Sequence, residues 1–373
     1  MKLEPFGVED WMNIYETQCE VNIAESCVEA LTTEELLDFS EDKQAAISDI
    51  LKMKLTYGDI FGSEALREEI AKLYTSITPE QITIEHGGIG ANHLVLETLI
   101  EPGDHIVSVL PNYQQHYSLP KSYGAVVDFL PLIPENNYMP DFDALEALLT
   151  HDTKLIAINN PNNPTGALMD EEQLLQLVAL ARKYDAYILS DEVYRGLTLT
   201  GENFTPSISD LYEKGISTSS MSKTFSLPGL RIGWIISPIE MVPELNNHRD
   251  YSTISCGMID DYLATLALKH KDKILDRNLT IVRKNSQYLA DWVAKEPHIT
   301  YIQPQSGPIA LLHYDMSIKS TELCRRLQNE TGVFLVPGSV MGCEGGLRIG
   351  YANDLSVLKE GLARFSRFLR TFD

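Results

Sequence analysis

Positive charge is what this sequence has least of. Its 30 lysines and arginines stand against 53 aspartates and glutamates, a formal net charge of −23 at pH 7. A nucleic-acid partner needs a positive footprint, so none is expected. Any bound anion must instead be held by a local cluster of donors against an unfavourable overall field. Long apolar runs are also missing. No stretch approaches the roughly 18 uninterrupted apolar residues of a membrane helix, and no membrane partner is expected. The run Met1-Lys2-Leu3-Glu4-Pro5 has no apolar signal core, so no secretory signal is expected either.

Cysteine is sparse and scattered, at Cys19, Cys27, Cys256, Cys324 and Cys343, with no C-x-x-C pair. That argues against a disulfide framework and against a zinc knuckle, so no metal is expected. Reduced thiols in a cytoplasmic protein are the simplest reading. Cys27 and Cys256 fit buried bystanders better than pocket residues.

What is present is a chain of 373 residues, 44% of them apolar, enough for a large core and two domains. Strand-like runs occur at His105–Leu110, Ala125–Leu132, Lys154–Asn159, Ala186–Val193, Gly215–Ser220 and Gly233–Ile236, with a shorter one at Gln81–Glu85. Several are apolar on both faces, as buried parallel strands are. Helical patterns lie between them. One opens at Asp170-Glu171-Glu172-Gln173, which resembles a capping box, and continues with Leu174, Leu175, Leu177, Val178 and Ala181 on one apolar face. The alternation predicts an α/β fold with a mainly parallel sheet, a large domain over 45–260. The C-terminal hundred residues read as a smaller α+β domain. They hold short strands at Gly332–Val336 and Gly346–Tyr351 and a helix through Leu358, Leu362, Phe365 and Leu369. Residues 1–44 and 261–373 together are expected to make this second domain.

Five segments carry chemistry. In Ser220-Met221-Ser222-Lys223, with Arg231 eight residues on, one anion can be served by two hydroxyls and a guanidinium, while the lysine amine captures an aldehyde. The surrounding Gly-Leu-Arg-Ile-Gly-Trp run is too apolar for an exposed loop. Asp191 and Tyr194 follow a strand whose carboxyl end is where α/β sheets bind ligands. Asp191 could hold a pyridinium nitrogen protonated and Tyr194 could donate to a phenolate oxygen. Taken alone, they fit a helix N-cap and a core tyrosine better. The run from Asn159 to Gly166 makes a rigid turn-rich loop whose Asn160–Pro161 and Asn163–Pro164 bonds are candidates for cis geometry. His86-Gly87-Gly88-Ile89-Gly90 opens a helix after a strand, a phosphate-binding arrangement of backbone amides. It is not the dinucleotide fingerprint, because the third glycine would fall at His93. Last, Arg348 sits between small and apolar residues, where an unpaired charge is costly. A substrate carboxylate and a structural salt bridge both answer that need.

In this order and spacing, the segments resemble the class I/II aminotransferases, the fold-type I pyridoxal 5′-phosphate (PLP) enzymes. The likeness runs from about Tyr57 to the C-terminus and includes Tyr57-Gly58 with Gly62, Pro111-x-Tyr113, Asn163-Pro164-Thr165-Gly166, Asp191-Glu192-x-Tyr194 and Arg231-x-Gly233. The resemblance implies the aspartate aminotransferase-like fold with a seven-stranded sheet, and PLP carried by Lys223. It implies Asp191 at the pyridine nitrogen, Tyr194 and Asn163 at the ring oxygen, and Tyr113 on the ring face. The phosphate would be held by the amides of Gly88 and Ile89 with Ser220, Ser222 and Arg231. Tyr57 would reach the phosphate of a neighbouring subunit, which implies a homodimer, and Arg348 would take the substrate α-carboxylate. Amino acid and 2-oxo acid would be the exchanged partners.

Two stretches depart from the common pattern, Asn22-Ile23-Ala24-Glu25-Ser26-Cys27-Val28 and Ser306-Gly307-Pro308-Ile309-Ala310. With Glu9-Asp10-Trp11 and Arg249-Asp250-Tyr251, the chain also loosely resembles the capreomycidine synthases, members that cyclise a hydroxyarginine. Glu25 then becomes a candidate partner for a substrate guanidinium. A solvated glutamate is an equal reading in so acidic a chain. The leading expectation is transamination. β-Elimination, replacement or cyclisation of a basic amino acid is the alternative, and a non-catalytic regulator on this fold is a third.

Overall fold

The computed structural model describes residues 2–372; the first and last residues of the expected small domain lie outside it. A two-residue strand, β1 (Val21–Asn22), comes first. Seven strands then form the main sheet: β2 (Ile82–His86), β3 (His105–Leu110), β4 (Val126–Pro131), β5 (Thr153–Asn159), β6 (Tyr187–Asp191), β7 (Gly215–Ser220) and β8 (Ile232–Ile236). Their spatial order is β2-β8-β7-β6-β5-β3-β4. β4, β3, β5, β6 and β7 run parallel, and β8 is antiparallel to both of its neighbours. The fold is therefore the α/β architecture expected, with a mostly parallel seven-stranded sheet.

This register decides where a site can form. Asn159 pairs with Asp191 and Asp191 with Thr218. Ser220 lies opposite Gly233, and Glu85 pairs with the same glycine. The carboxyl ends of β5, β6 and β7, the start of β8 and the end of β2 thus share one edge. That edge is where open α/β sheets bind ligands.

Local signals account for the elements. The helix Glu171–Tyr184 begins with the Asp170/Gln173 capping box and ends at Asp185, in the left-handed region at φ 60°. It buries Leu174, Leu177, Val178 and Ala181, each leucine contributing about 1.5–3 kcal/mol. Leu175, expected on that face, is exposed, because a helical step of one residue turns it about 100° away. β7 is fully buried although its sequence is Gly-Ile-Ser-Thr-Ser-Ser. Its hydroxyls are satisfied: Ser209 donates to Ser217 at 2.9 Å, and Thr218 donates to Asn92 at 2.5 Å.

The smaller sheet comprises β9 (Ile299–Tyr301), β10 (Ile309–Tyr314), β12 (Val336–Pro337) and β13 (Gly346–Gly350), in the order β12-β13-β10-β9. The single strand expected at Gly332–Val336 is two strands. β11 (Val333–Phe334) pairs with β1, whereas β12 joins β13. The departing loop at Ser306–Ala310 leads into β10, which the sequence reading did not assign. The N-terminal helix Gly7–Tyr15 docks through the Trp11 indole, which donates to the Leu335 carbonyl at 3.0 Å. One apolar cluster joins this helix and β1 to β10–β13 and the C-terminal helix Leu355–Leu369. Leu36, Leu37 and Leu263–Leu279 pack instead against β2 and β8.

Candidate active site

A cavity of about 350 Å³ opens at the shared sheet edge, within the range of small-molecule sites. At its floor Asp191 is 3% exposed. Its Oδ2 accepts from Asn92 Nδ2 at 2.8 Å, and His116 Nε2 lies 3.4 Å from the same oxygen. The backbone N–H of Val193 donates to Oδ1 at 3.2 Å. The carboxylate is held from several sides and still lines the cavity. Beside it, burial pushes the Glu192 carboxyl up to about 7, against the opposing charge of Arg195.

An anion-binding end lies at the helix Gly87–Leu99, whose first turn holds no acidic residue. Gly87 has φ +70°. A Cβ on it would sit 2.6 Å from Arg231 Nη2, and one on Gly233 would sit 2.3 Å from the Gly87 carbonyl carbon. Glycine is required at both positions so that Arg231 and two backbones can meet. Gly88, Ile89, Ser220, Ser222 and Arg231 line this end together, combining helix-terminal amides, hydroxyls and a guanidinium as a phosphate site does. Ser220 Oγ also accepts from the Ser222 N–H at 3.3 Å.

Lys223 lines the same cavity. Its Nζ donates to Ser26 Oγ at 2.8 Å and lies 3.3 Å from Cys27 Sγ. Burial works against the ammonium, but the Cys27 thiol and Tyr194 phenol outweigh it and hold the amine above the usual lysine value. Tyr194 and Tyr113 also line the cavity, and burial raises both phenols. Phe6 backs the Tyr113 ring at 5.1 Å between centroids. The loop expected after β5 is present, with cis bonds at Asn160–Pro161 and Asn163–Pro164 and a further one at Leu110–Pro111. Asn163 is fixed by its N–H to Asn159 Oδ1 at 2.6 Å.

On β13, Arg348 is 4% exposed. Its partners are Asn163 Oδ1 at 3.5 Å, the Ala24 carbonyl at 3.3 Å and Met12 Sδ at 4.0 Å. Nε has no partner. The guanidinium makes no ion pair among the described residues, and burial lowers its pKa. A buried cation without an anion is costly, and no salt bridge among the described residues answers it; Glu25 and Glu9 favour its charge only from farther off. Glu9 and Glu25 line the same cavity. Burial and the Glu25 carboxylate beside it raise the nearby Glu16.

The cavity thus gathers the candidate residues with one exception. Tyr57 is 77% exposed and does not line the cavity of its own chain. Cys27 corrects its reading as a bystander, because its Sγ lies 3.3 Å from Lys223 Nζ. Cys256 lines a second cavity that shares no residue with the first. Three partners escaped the sequence reading: His116, Asn92 and Met12. Asn92 lies four residues after Gly88 in the helix Gly87–Leu99, a spacing that puts both on one face, whereas His116 lies in the first turn of the helix Gln115–Tyr123 that follows Tyr113.

The Aminotransferase class I and II family model matches residues 29–365. Capreomycidine synthase of Streptomyces vinaceus is 31% identical over 365 residues, spanning 98% of this chain and 93% of its own. Arginine–pyruvate transaminase of Pseudomonas aeruginosa is 26% identical, over 87% of this chain and 84% of its own. Among solved structures, a PLP-dependent aminotransferase from Streptococcus suis superposes with a TM-score of 0.97 at 43% identity, over 100% of this chain and 99% of that one. The cofactor is pyridoxal 5′-phosphate, and the donor set fits it: an anion cradle, a lysine amine and a buried carboxylate bound one cavity. The chain belongs to the class I and II aminotransferases, a family of PLP-dependent enzymes.

Proposed function

We propose that this enzyme moves an amino group from the α-carbon of an amino acid to a 2-oxo acid, with Lys223 as the proton carrier. The observation that carries the reading is Arg348: a buried guanidinium with no ion pair among the described residues, favoured only from farther off by the Glu25 and Glu9 carboxylates, lining the cavity that also holds Lys223 and Asp191. Every α-amino acid and 2-oxo acid brings the carboxylate it lacks, and a planar fork binds it bidentately. When bound, PLP supplies an aldehyde for amine capture and a ring that delocalises the electron pair left at the α-carbon. Lys223 Nζ takes the α-proton and returns it. Asp191, oriented by Asn92 and His116, holds a proton at the ring nitrogen. Tyr194 and Asn163 hydrogen-bond the ring oxygen, and Tyr113 covers the ring face. Gly88, Ile89, Ser220, Ser222 and Arg231 hold the phosphate.

The enzyme works as a homodimer in the cytoplasm, with Tyr57 completing the partner's phosphate site. Support comes from the exposed Leu51, Leu55, Tyr57 and Tyr251, too many large apolar side chains in two neighbouring segments for a lone subunit. The unpaired, scattered cysteines support the compartment. Two domains, 45–260 and 1–44 with 261–373, are supported by the cluster that ties the N-terminal helix to the C-terminal one, while Leu36, Leu37 and Leu263–Leu279, packed on β2 and β8, go with the large domain.

A second reading concerns the substrate. Glu9 and Glu25 line the cavity and form no salt bridge among the described residues, although both favour the charge of the buried Arg348. They suit the cationic end of an arginine-type amino acid, the substrate named for the Pseudomonas relative, and PLP-dependent cyclisation on such a substrate is the alternative reaction. The test is a single-turnover panel of arginine, ornithine, alanine and glutamate. Transamination gives one 2-oxo acid per subunit, no ammonia, and cofactor left in its amine form. Ammonia, or a product of unchanged nitrogen count with a new ring, contradicts transamination. Glu25→Gln should cut kcat/KM for arginine about tenfold or more and spare alanine.

A further inference from the structure

A buried ion pair next to the phosphate end has no part in the chemistry above. Arg249 closes the helix Val242–Arg249 and is 1% exposed. Its Nε lies 3.4 Å from Oε1 of Glu85, a charge contact without hydrogen-bond alignment. Glu85 sits on β2, one residue before His86, and is equally buried. Its Oε2 accepts from the His86 N–H at 3.0 Å and the Thr253 hydroxyl at 3.1 Å. A Cβ on Gly90 would lie 3.0 Å from the same oxygen. The Glu85 carboxylate is therefore pressed against the first turn of the helix Gly87–Leu99, the turn whose Gly88 and Ile89 line the cavity.

This placement sets up an electrostatic conflict. A helix N-terminus offers only about half a positive charge, and a phosphate monoester brings nearly two negative ones. A bare carboxylate at the same turn would satisfy the helix itself and repel the phosphate. Arg249 is the guanidinium in ion-pair contact with Glu85. It is anchored elsewhere too: Nη1 donates to the Ile60 carbonyl, and its own carbonyl accepts from the N–H groups of Ser252 and Thr253, each at 3.0 Å. Its side chain cannot swing away from the carboxylate without breaking the bond to Ile60, while the backbone bonds fix the position of its Cα.

We propose that Arg249 is a charge-compensating, positioning residue for the phosphate site: it cancels Glu85 and so leaves the Gly88–Ile89 amides available to a phosphate dianion. The proposal rests on the cofactor reading above. Glu85 orders the helix start through the His86 N–H, and Arg249 removes the electrostatic penalty of having a carboxylate there.

Dissociation constants for PLP and for pyridoxal, which lacks the phosphate, test this by quenching of protein fluorescence in wild type, Arg249→Gln, Glu85→Gln and the double variant. Arg249→Gln should weaken PLP about tenfold, the effect of one unit charge within ~10 Å at an effective dielectric constant of ~20. Pyridoxal should change less than about threefold. Glu85→Gln should bind PLP at least as tightly as wild type, and adding it to Arg249→Gln should restore most of the loss. Equal losses for PLP and pyridoxal, or no rescue in the double variant, overturn the proposal. If Arg249→Gln does not fold, Glu85→Gln decides alone, and weaker PLP binding there refutes it. Wild type that binds neither compound refutes the cofactor reading as well, whereas unchanged PLP-to-pyridoxal ratios in the variants refute only the role of Arg249.

Discussion

Asp191 receives a side-chain amide, an imidazole and a backbone N–H, and that arrangement explains why a carboxylate, rather than an amide, belongs there. An amide at 191 would oppose Asn92 with its own N–H groups and could not keep a ring nitrogen protonated. Asp191→Asn should therefore retain PLP, read by absorbance, yet lose about a hundredfold or more in kcat, the low end for removing one principal electrostatic group. Near-normal turnover would contradict the role. Lys223 stood out in the sequence through its own motif, whereas Asp191 and Arg348 became candidates only through their order and spacing with the other motifs. His116, Asn92 and Cys27 were not legible there. Their contacts join residues 75 to 196 positions apart, and only the packed fold brings them together.

At the level of elements, strand positions could be read from apolar runs, since β3, β5, β6 and β7 are buried on nearly every residue. The short strands were harder. β11 and β12 are separated by one residue and belong to different sheets, a division that a continuous apolar run conceals. The glycine loop before the helix Gly87–Leu99 was visible, but its steric reason was not. Gly87 has φ +70° and lies against Arg231. Gly87→Ala should strain the backbone by about 1–3 kcal/mol and displace the guanidinium. PLP binding should weaken about tenfold, the loss of one charge-assisted hydrogen bond. Gly103→Ala is the control: it has φ +95° with nothing within 4 Å of a Cβ. It should lower Tm comparably and leave PLP affinity alone. Equal affinity losses in both variants would mean that backbone strain, not Arg231, is responsible.

For the whole molecule, the net charge of −23 means that phosphate binding has to be achieved locally, on the proposed reading by Arg231, the serines and a compensated helix end. The same scale governs assembly. Tyr57 is exposed and does not line its own chain's cavity, and the proposed reading assigns it to the site of a second subunit. Mixing Lys223→Ala with Tyr57→Phe chains, each impaired alone, should regenerate one intact site in each mixed dimer. Full activity in a monomer verified by sedimentation would refute the shared site. No helix among the described residues is long and apolar enough to cross a membrane.

The central claim is that PLP is carried by Lys223, and borohydride reduction of the PLP-loaded enzyme followed by peptide mapping tests it most directly. Reduction should fix one pyridoxyl group per chain, on the peptide containing Ser220-Met221-Ser222-Lys223, and Lys223→Ala should take up none there. A label on another lysine, or no label after loading with PLP, would contradict the account.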